Sequence, residues 1–112
     1  MPCGAAARLR IARGRIYLDR DLYDRYFRGI ESAVLLADGR DLLIMPVASV
    51  ASGGYLMKLR NSRGDRVIDA ADTLRDNGLE ESREHTPAVR WSAREAALRV
   101  PALFPPQATN AN

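Results

Sequence analysis

Residues 13–22 read Arg-Gly-Arg-Ile-Tyr-Leu-Asp-Arg-Asp-Leu, and residues 63–74 read Arg-Gly-Asp-Arg-Val-Ile-Asp-Ala-Ala-Asp-Thr-Leu. Both stretches begin with Arg-Gly, continue through an apolar run that favours a β-strand, and end in a leucine-containing segment with helical composition. The second stretch has two residues more than the first. Because the same order of predicted elements surrounds each copy, the sequence predicts an internal duplication.

The first copy lies in a unit that we predict to be strand, strand, helix, strand, strand. A turn at Gly14 joins two short segments in which apolar and polar residues alternate. Asp19 is a suitable N-cap for a helix that stops at Gly29, and Asp38-Gly39 is a favourable hairpin turn between two apolar runs. The predicted strands of this half are residues 8–11, 15–18, 32–38 and 41–47.

The same order begins again after a stretch of small residues, rich in Gly and Ser, which suits a flexible connection. The second helix is predicted at residues 70–77 with Gly78 as its stop, and Pro101 ends the last strand. The predicted strands of this half are residues 55–60, 66–69, 88–92 and 96–100. The resulting division is a first half at 1–47, a linker at 48–54, a second half at 55–104 and a frayed tail at 105–112.

Aromatic side chains cluster near the first helix and in one late strand. We expect Tyr17, Tyr23, Tyr26 and Phe27 to form part of the core, with Leu22 on the same helical face. Trp91 lies in a predicted strand, where aromatic residues usually pack half-buried against the sheet. Stacking on a base or anchoring a partner is the alternative for this side chain.

Length and composition indicate a folded, soluble chain, the size of one domain or of two tightly interwoven half-domains. The chain has 112 residues, 46% of them hydrophobic and 28% charged, close to globular averages. No apolar run approaches the ~20 residues that span a bilayer, and the N-terminus has no apolar segment typical of a secretory signal. Because Cys3 is the only cysteine, we expect no internal disulfide and a cytoplasmic location.

Charge is segregated along the chain although the formal net charge is only +3. Residues 8–15 contain four arginines and no acidic residue, whereas residues 69–84 contain six acidic residues and two arginines. Lys58 is the only lysine among 17 basic residues. The distribution of charge is therefore more informative about partners than the total.

The order of elements resembles the swapped-hairpin fold of AbrB-like transition-state regulators. The stretch from Gly14 to Tyr26 is similar to that family's glycine, arginine, apolar triplet, proline and leucine-containing helix, although Asp19 stands in place of the proline. Two such units in one chain are similar to the MraZ arrangement. The resemblance implies a mostly β, α+β fold in which two ββαββ halves interleave into a barrel-like pseudo-dimer. The chain would then be a monomer of that kind or a homo-oligomer.

The resemblance also implies that the arginine-rich first hairpin of each half contacts DNA, as in a bacterial transcriptional regulator. A two-stranded ribbon is narrow enough for the major groove, and guanidinium groups suit phosphate and guanine. Alternatively, these side chains are solvated or pair with Asp19, Asp21 and Asp24. The matching positions are Arg8, Arg10, Arg13 and Arg15 in the first half and Lys58, Arg60, Arg63 and Arg66 in the second.

Other chemistry finds little support in the sequence. His85 is the only histidine and could not complete a zinc site with Cys3 alone, and neither residue lies in a pattern typical of nucleophilic catalysis. No glycine-rich phosphate-binding motif is present. We therefore predict no enzyme activity, no metal and no cofactor. The alternative to DNA binding is an interaction or assembly factor for another protein, a role consistent with the acidic segment at 69–84.

Overall fold

A computed structural model of the chain describes residues 7–48 and 54–106. The first half contains a helix whose N-cap is Asp19, as predicted: its carboxylate accepts a hydrogen bond from the amide of Leu22 at 2.9 Å. The strands at 15–18, 32–38 and 41–47 have the predicted bounds. The elements of this half are β1 (Ala7–Arg8), β2 (Arg10–Ala12), β3 (Arg15–Leu18), α1 (Arg20–Tyr26), β4 (Ser32–Asp38) and β5 (Asp41–Val47).

The second half follows the same order with shorter elements. Its helix is one residue shorter at each end than the predicted 70–77, and its N-cap, Ala70, makes no side-chain capping bond. The elements are β6 (Tyr55–Leu56), β7 (Lys58–Leu59), β8 (Arg66–Asp69), α2 (Ala71–Asp76), β9 (Ala88–Ser92) and β10 (Ala97–Val100). Residues 49–53 of the predicted linker and 107–112 of the predicted tail lie outside the described residues, as does Cys3.

The strands form two antiparallel sheets with a symmetrical order. The four-stranded sheet runs β2-β3-β8-β7 and the six-stranded sheet β1-β9-β10-β5-β4-β6. When each strand is replaced by its counterpart in the other half, the result is the same sheet listed from its opposite edge. Each sheet is therefore symmetrical about its centre. The halves meet at the centre of both sheets, where Ile16 faces Ile68 and Ile44 faces Leu98. A mostly β, α+β fold is thus confirmed, but in residues 7–48 and 54–106 the strands form two sheets and not a closed barrel.

The first strand of each half contributes to both sheets. β1 and β2 are separated by Leu9, and β6 and β7 by Met57, so the predicted continuous strands 8–11 and 55–60 are wrong. Leu9 and Met57 are 2% and 1% exposed, and their amides donate to the carbonyls of Pro87 and Glu31 at 3.1 and 2.8 Å. Each break is therefore the point where the chain crosses from one sheet to the other.

The core combines side chains from both halves. As predicted, α1 buries Leu22 and Tyr23, and Phe27, directly after the helix, is buried with them. Trp91 from the second half lies edge-on to Phe27, with ring centroids 6.4 Å apart, and stacks on Tyr26 at 4.9 Å. The predicted packing role of Trp91 is confirmed. Neither helix in the described part of the chain is long and apolar enough to cross a membrane.

An ion-pair cluster joins the hairpins of the two halves at the centre of the six-stranded sheet. Arg99 on β10 pairs with Glu95 at 2.6 Å, with Asp38 at 2.9 Å and also with Asp41. The Arg99 guanidinium is the main cause of a lowered pKa for Glu95, whereas the pKa of Asp41 is lowered first by the amide of Ala102 and then by Arg99. These carboxylates therefore stay ionised at lower pH than unperturbed carboxylates would, and their ion pairs with Arg99 hold the hairpins together.

Gly14 occupies a close contact between the halves, and its replacement by alanine is expected to be costly. Its φ is +79°, and a Cβ would lie 2.7 Å from the Cβ of Ala71 in α2. Strain and overpacking together predict a loss of about 2–4 kcal/mol in the free energy of unfolding. Gly39→Ala is the control, since Gly39 also has a positive φ of +61° but has open space around it. Urea unfolding measures both; equal losses would contradict the contact.

Candidate nucleic-acid interface

One face of the four-stranded sheet is polar because the strands alternate. Ile11, Ile16 and Ile68 point into the core and are at most 1% exposed. On each strand, the residues directly before and after the isoleucine point outwards, and so do the residues paired with them on the neighbouring strand. We call this surface, with the residue that follows β7, the basic face; its charged and aromatic members are Arg10, Arg15, Tyr17, Lys58, Arg60 and Asp69.

Tyr17 is the centre of the basic face. It is the cross-strand partner of Arg10 and of Val67. The Cζ atom of Arg10 lies 4.0 Å from the centroid of the Tyr17 ring, and that of Arg60, from the other half, lies 4.9 Å from it. Both distances are within the range of cation–π attraction. The prediction that Tyr17 belongs to the core is therefore wrong: the ring is half-buried beneath two guanidinium groups.

A small groove beside Tyr17 collects arginines from both halves of the chain. Arg8, Arg10 and Arg60 line it, together with Asp19 and Asp65, around a volume of about 180 Å³. Within the described residues, no carboxylate oxygen lies within 4.0 Å of a side-chain nitrogen of any of these three arginines. The groove therefore offers guanidinium groups that are not paired with acids of the described chain.

The two acids in the groove are occupied by local structure. One oxygen of Asp19 caps α1. Asp65 accepts from the amide of Arg20 at 2.8 Å and from the side-chain amide of Asn61 at 2.9 Å, and the Asn61 bond is the main cause of its lowered pKa. Asp19 therefore stabilises the start of α1, and Asp65 stabilises the loop after β7 and ties it to the start of α1.

Asp69 neutralises the other side of the basic face. Its two oxygens accept from Arg15 Nε at 2.9 Å and Lys58 Nζ at 2.8 Å. Lys58 and then Arg15 lower the pKa of Asp69, and Asp69 raises the pKa of Arg15. The alternative that the hairpin arginines pair with Asp19, Asp21 and Asp24 is therefore wrong. Arg15 does pair with an acid, but that acid is Asp69.

The remaining predicted contact residues lie elsewhere. Arg13 is in the β2–β3 turn with a φ of +53°, before the returning strand begins at Arg15. Arg63 pairs with Asp65 at 3.2 Å. Arg66 points towards the helix side of the sheet, where its guanidinium lies 4.4 Å from the Tyr23 ring centroid and donates to the carbonyl of Met57. The structure does not bring Arg66 onto the basic face.

The acidic segment approaches the same surface from the side. A second groove, of about 370 Å³, has Arg10, Arg13 and Tyr17 on one wall and residues 81–84 on the other. His85 anchors this loop, because its backbone amide and carbonyl both pair with those of Ile11 at 2.8 Å. In residues 7–48 and 54–106, no three His, Cys, Asp or Glu side chains are grouped to hold a metal ion.

Comparison of the chain with protein-family models, with curated protein sequences and with solved structures gives no match in any of the three. The site is therefore defined by its own geometry. Two residues that sequence reasoning missed are central to it, Tyr17 and Asp69. Their signal was period-two alternation, because Tyr17 lies between the inward-facing Ile16 and Leu18, and Asp69 follows the inward-facing Ile68.

Proposed function

We propose that this protein is a small cytoplasmic DNA-binding regulator that contacts the phosphate backbone through the basic face. The observation that carries this proposal is the convergence of Arg10 and Arg60, from different halves, on Tyr17 beside Arg8. Three guanidinium groups without acidic partners in the described chain suit a polyanion, because a guanidinium can donate two parallel hydrogen bonds to one phosphate. Arg8 already donates from Nη1 to the carbonyl of Thr86 at 2.7 Å, which leaves its other nitrogens for a ligand.

We further propose that the two halves are interleaved in the swapped-hairpin manner of AbrB-like proteins, as a pseudo-dimer within one chain. The symmetrical strand orders support this, as does the exchange of first strands: β1 pairs with β9 of the second half, and β6 pairs with β4 of the first. Arg8, on the exchanged strand β1, and Arg60, which follows β7, both line the groove beside Tyr17. The fold and the site would thus have a common origin in the duplication.

DNA binding is tested by titrating a labelled 20-base-pair duplex with the protein between 50 and 200 mM salt. If Arg8 neutralises one phosphate, and Arg10 and Arg60 neutralise either one shared phosphate or one each, log Kobs is expected to fall with log salt concentration with a slope of about −1.8 to −2.7. Replacing Arg10 or Arg60 by alanine should weaken binding and make the slope shallower by up to about 0.9.

Arg94→Ala is the matched control for net charge. Arg94 is exposed in the turn of the β9–β10 hairpin, on the other sheet. Its loss should leave the affinity and the slope nearly unchanged. Absence of binding by the wild-type protein at 50 mM salt would refute the proposal, and so would an equal effect of Arg94→Ala and Arg10→Ala.

A protein-binding role is the second candidate. Two observations favour it: Asp69 neutralises half of the basic face, and Leu36, Leu56 and Leu59 are 47%, 46% and 60% exposed. An assembly factor would use such apolar side chains in an interface. Co-purification of a stoichiometric protein partner that is lost in a Leu36→Asp/Leu56→Asp variant, together with no DNA binding, would support this role over the first.

A further inference from the structure

The Tyr17 ring is in contact with one arginine from each half. Arg10 reaches it across the β2–β3 ladder, and Arg60 reaches it from the loop that follows β7. We propose that Tyr17 is a positioning residue that holds Arg10 and Arg60 as a paired clamp for one phosphodiester group. This inference rests on the DNA binding proposed above, and adds which chemical group the site takes and what makes the two arginines act together.

The ring brings together two groups that would otherwise repel each other. Two guanidinium ions near the same centroid carry like charges, and that repulsion disfavours their proximity. The negative face of an aromatic ring attracts a cation and offsets part of this cost. Cross-strand pairing fixes the position of Tyr17 relative to Arg10, so the ring provides a fixed support for both side chains.

The chemical class of the ligand can be inferred from the donor groups of the two arginines and from the size of the groove beside them. Their donor groups are unpaired with acids in the described chain, and they border a groove of only about 180 Å³. That volume is below the roughly 300 Å³ at which small-molecule sites begin. A phosphodiester group is small and has two non-ester oxygens, so it can accept from two guanidinium forks at once.

A base edge fits the same arrangement less well. Guanine presents O6 and N7 to a single arginine, so it would leave the second guanidinium without an acceptor. Stacking of a base on Tyr17 would compete with the guanidinium groups that already lie at the ring. The geometry therefore points to backbone contact, which positions the protein on DNA without reading its sequence.

The inference is tested by comparing Tyr17→Phe with Tyr17→Val in the duplex titration at 50 mM salt. Phenylalanine keeps the aromatic face, whereas valine suits a strand and removes it. We expect Tyr17→Phe to bind within about twofold of wild type and Tyr17→Val to bind about fivefold to tenfold more weakly. Thermal unfolding of both variants checks that they are folded; if Tyr17→Val is not, Tyr17→Leu replaces it.

A double-mutant cycle between Arg10→Ala and Arg60→Ala measures whether the two arginines act as a unit. In the wild-type background the two losses should be strongly non-additive, since one missing arm disables the clamp, and in the Tyr17→Val background they should become additive. Repeating the titration with an A·T-only duplex and a G·C-rich duplex should give the same losses, because a phosphate contact carries no sequence information.

The outcomes separate this inference from the proposed function. If wild type binds DNA and both arginine variants weaken binding, but Tyr17→Val binds like Tyr17→Phe, then DNA binding stands and the positioning role is overturned. A loss confined to the G·C-rich duplex would overturn the phosphate assignment in favour of base contact. Failure of wild type to bind either duplex would overturn the proposed function, and this inference with it.

Discussion

Replacing Phe27 by alanine is expected to lower the free energy of unfolding by about 3–5 kcal/mol. Phe27 follows α1 and is fully buried, with stacked Tyr23 on one side and Trp91 of the second half edge-on to it. Truncation removes the transfer free energy of a large side chain and leaves a cavity between elements of both halves. The loss is a large part of the roughly 5–15 kcal/mol that stabilises a small domain.

The form of the unfolding transition is as informative as its midpoint. Because the halves share both sheets and one core cluster, wild type and Phe27→Ala should each unfold in a single transition, with circular dichroism and Trp91 fluorescence coincident. Leu59→Ala is the control: Leu59 is 60% exposed, so its loss should cost no more than about 0.5 kcal/mol. Two separate transitions would show that the halves are independent, contrary to an interleaved fold.

The local elements of this fold could be predicted because they depend on neighbouring residues. The hairpin of residues 32–38 and 41–47 has its predicted bounds, since Asp38-Gly39 permits the tight turn and both flanking runs are apolar. The helix after Asp19 is likewise determined by one capping carboxylate and one apolar face. Signals of this kind require no knowledge of distant parts of the chain.

The pairing of the halves depends on contacts that no local pattern contains. The interruptions at Leu9 and Met57 arise where the chain crosses from one sheet to the other. Strand propensity alone therefore predicts one continuous strand at each place. Arg66 lies on the same face of β8 as Ile68 and packs over Tyr23, 43 residues earlier in the chain, and Asp69 meets Arg15 only through the β3–β8 ladder. Five of the eight predicted cationic positions therefore lie on or beside the basic face, whereas their division into paired and unpaired groups was not predictable from the sequence.

Asp69 has the largest expected effect on DNA affinity, and its removal should strengthen binding. Its carboxylate holds Arg15 and Lys58, which lie on the same face as the Tyr17 groove. The Asp69→Asn variant keeps the size of the side chain but releases both cations. If each then neutralises one phosphate, the slope of log Kobs against log salt concentration steepens by up to about 1.8, and affinity at 50 mM salt rises by about tenfold or more.

The control for this gain is Asp72→Asn, which makes the same change in net charge. Asp72 lies in α2, where it pairs with Arg75 at 2.8 Å and its side chain is 83% exposed. A general increase in positive charge would raise affinity equally in both variants, whereas release of Arg15 and Lys58 would raise it in Asp69→Asn alone. The same titration shows which side of the basic face DNA contacts. An unchanged affinity in Asp69→Asn would mean that DNA does not approach this side of the basic face, and binding would then be restricted to Arg8, Arg10 and Arg60. A steeper slope would show that one carboxylate limits how much of the face DNA can use.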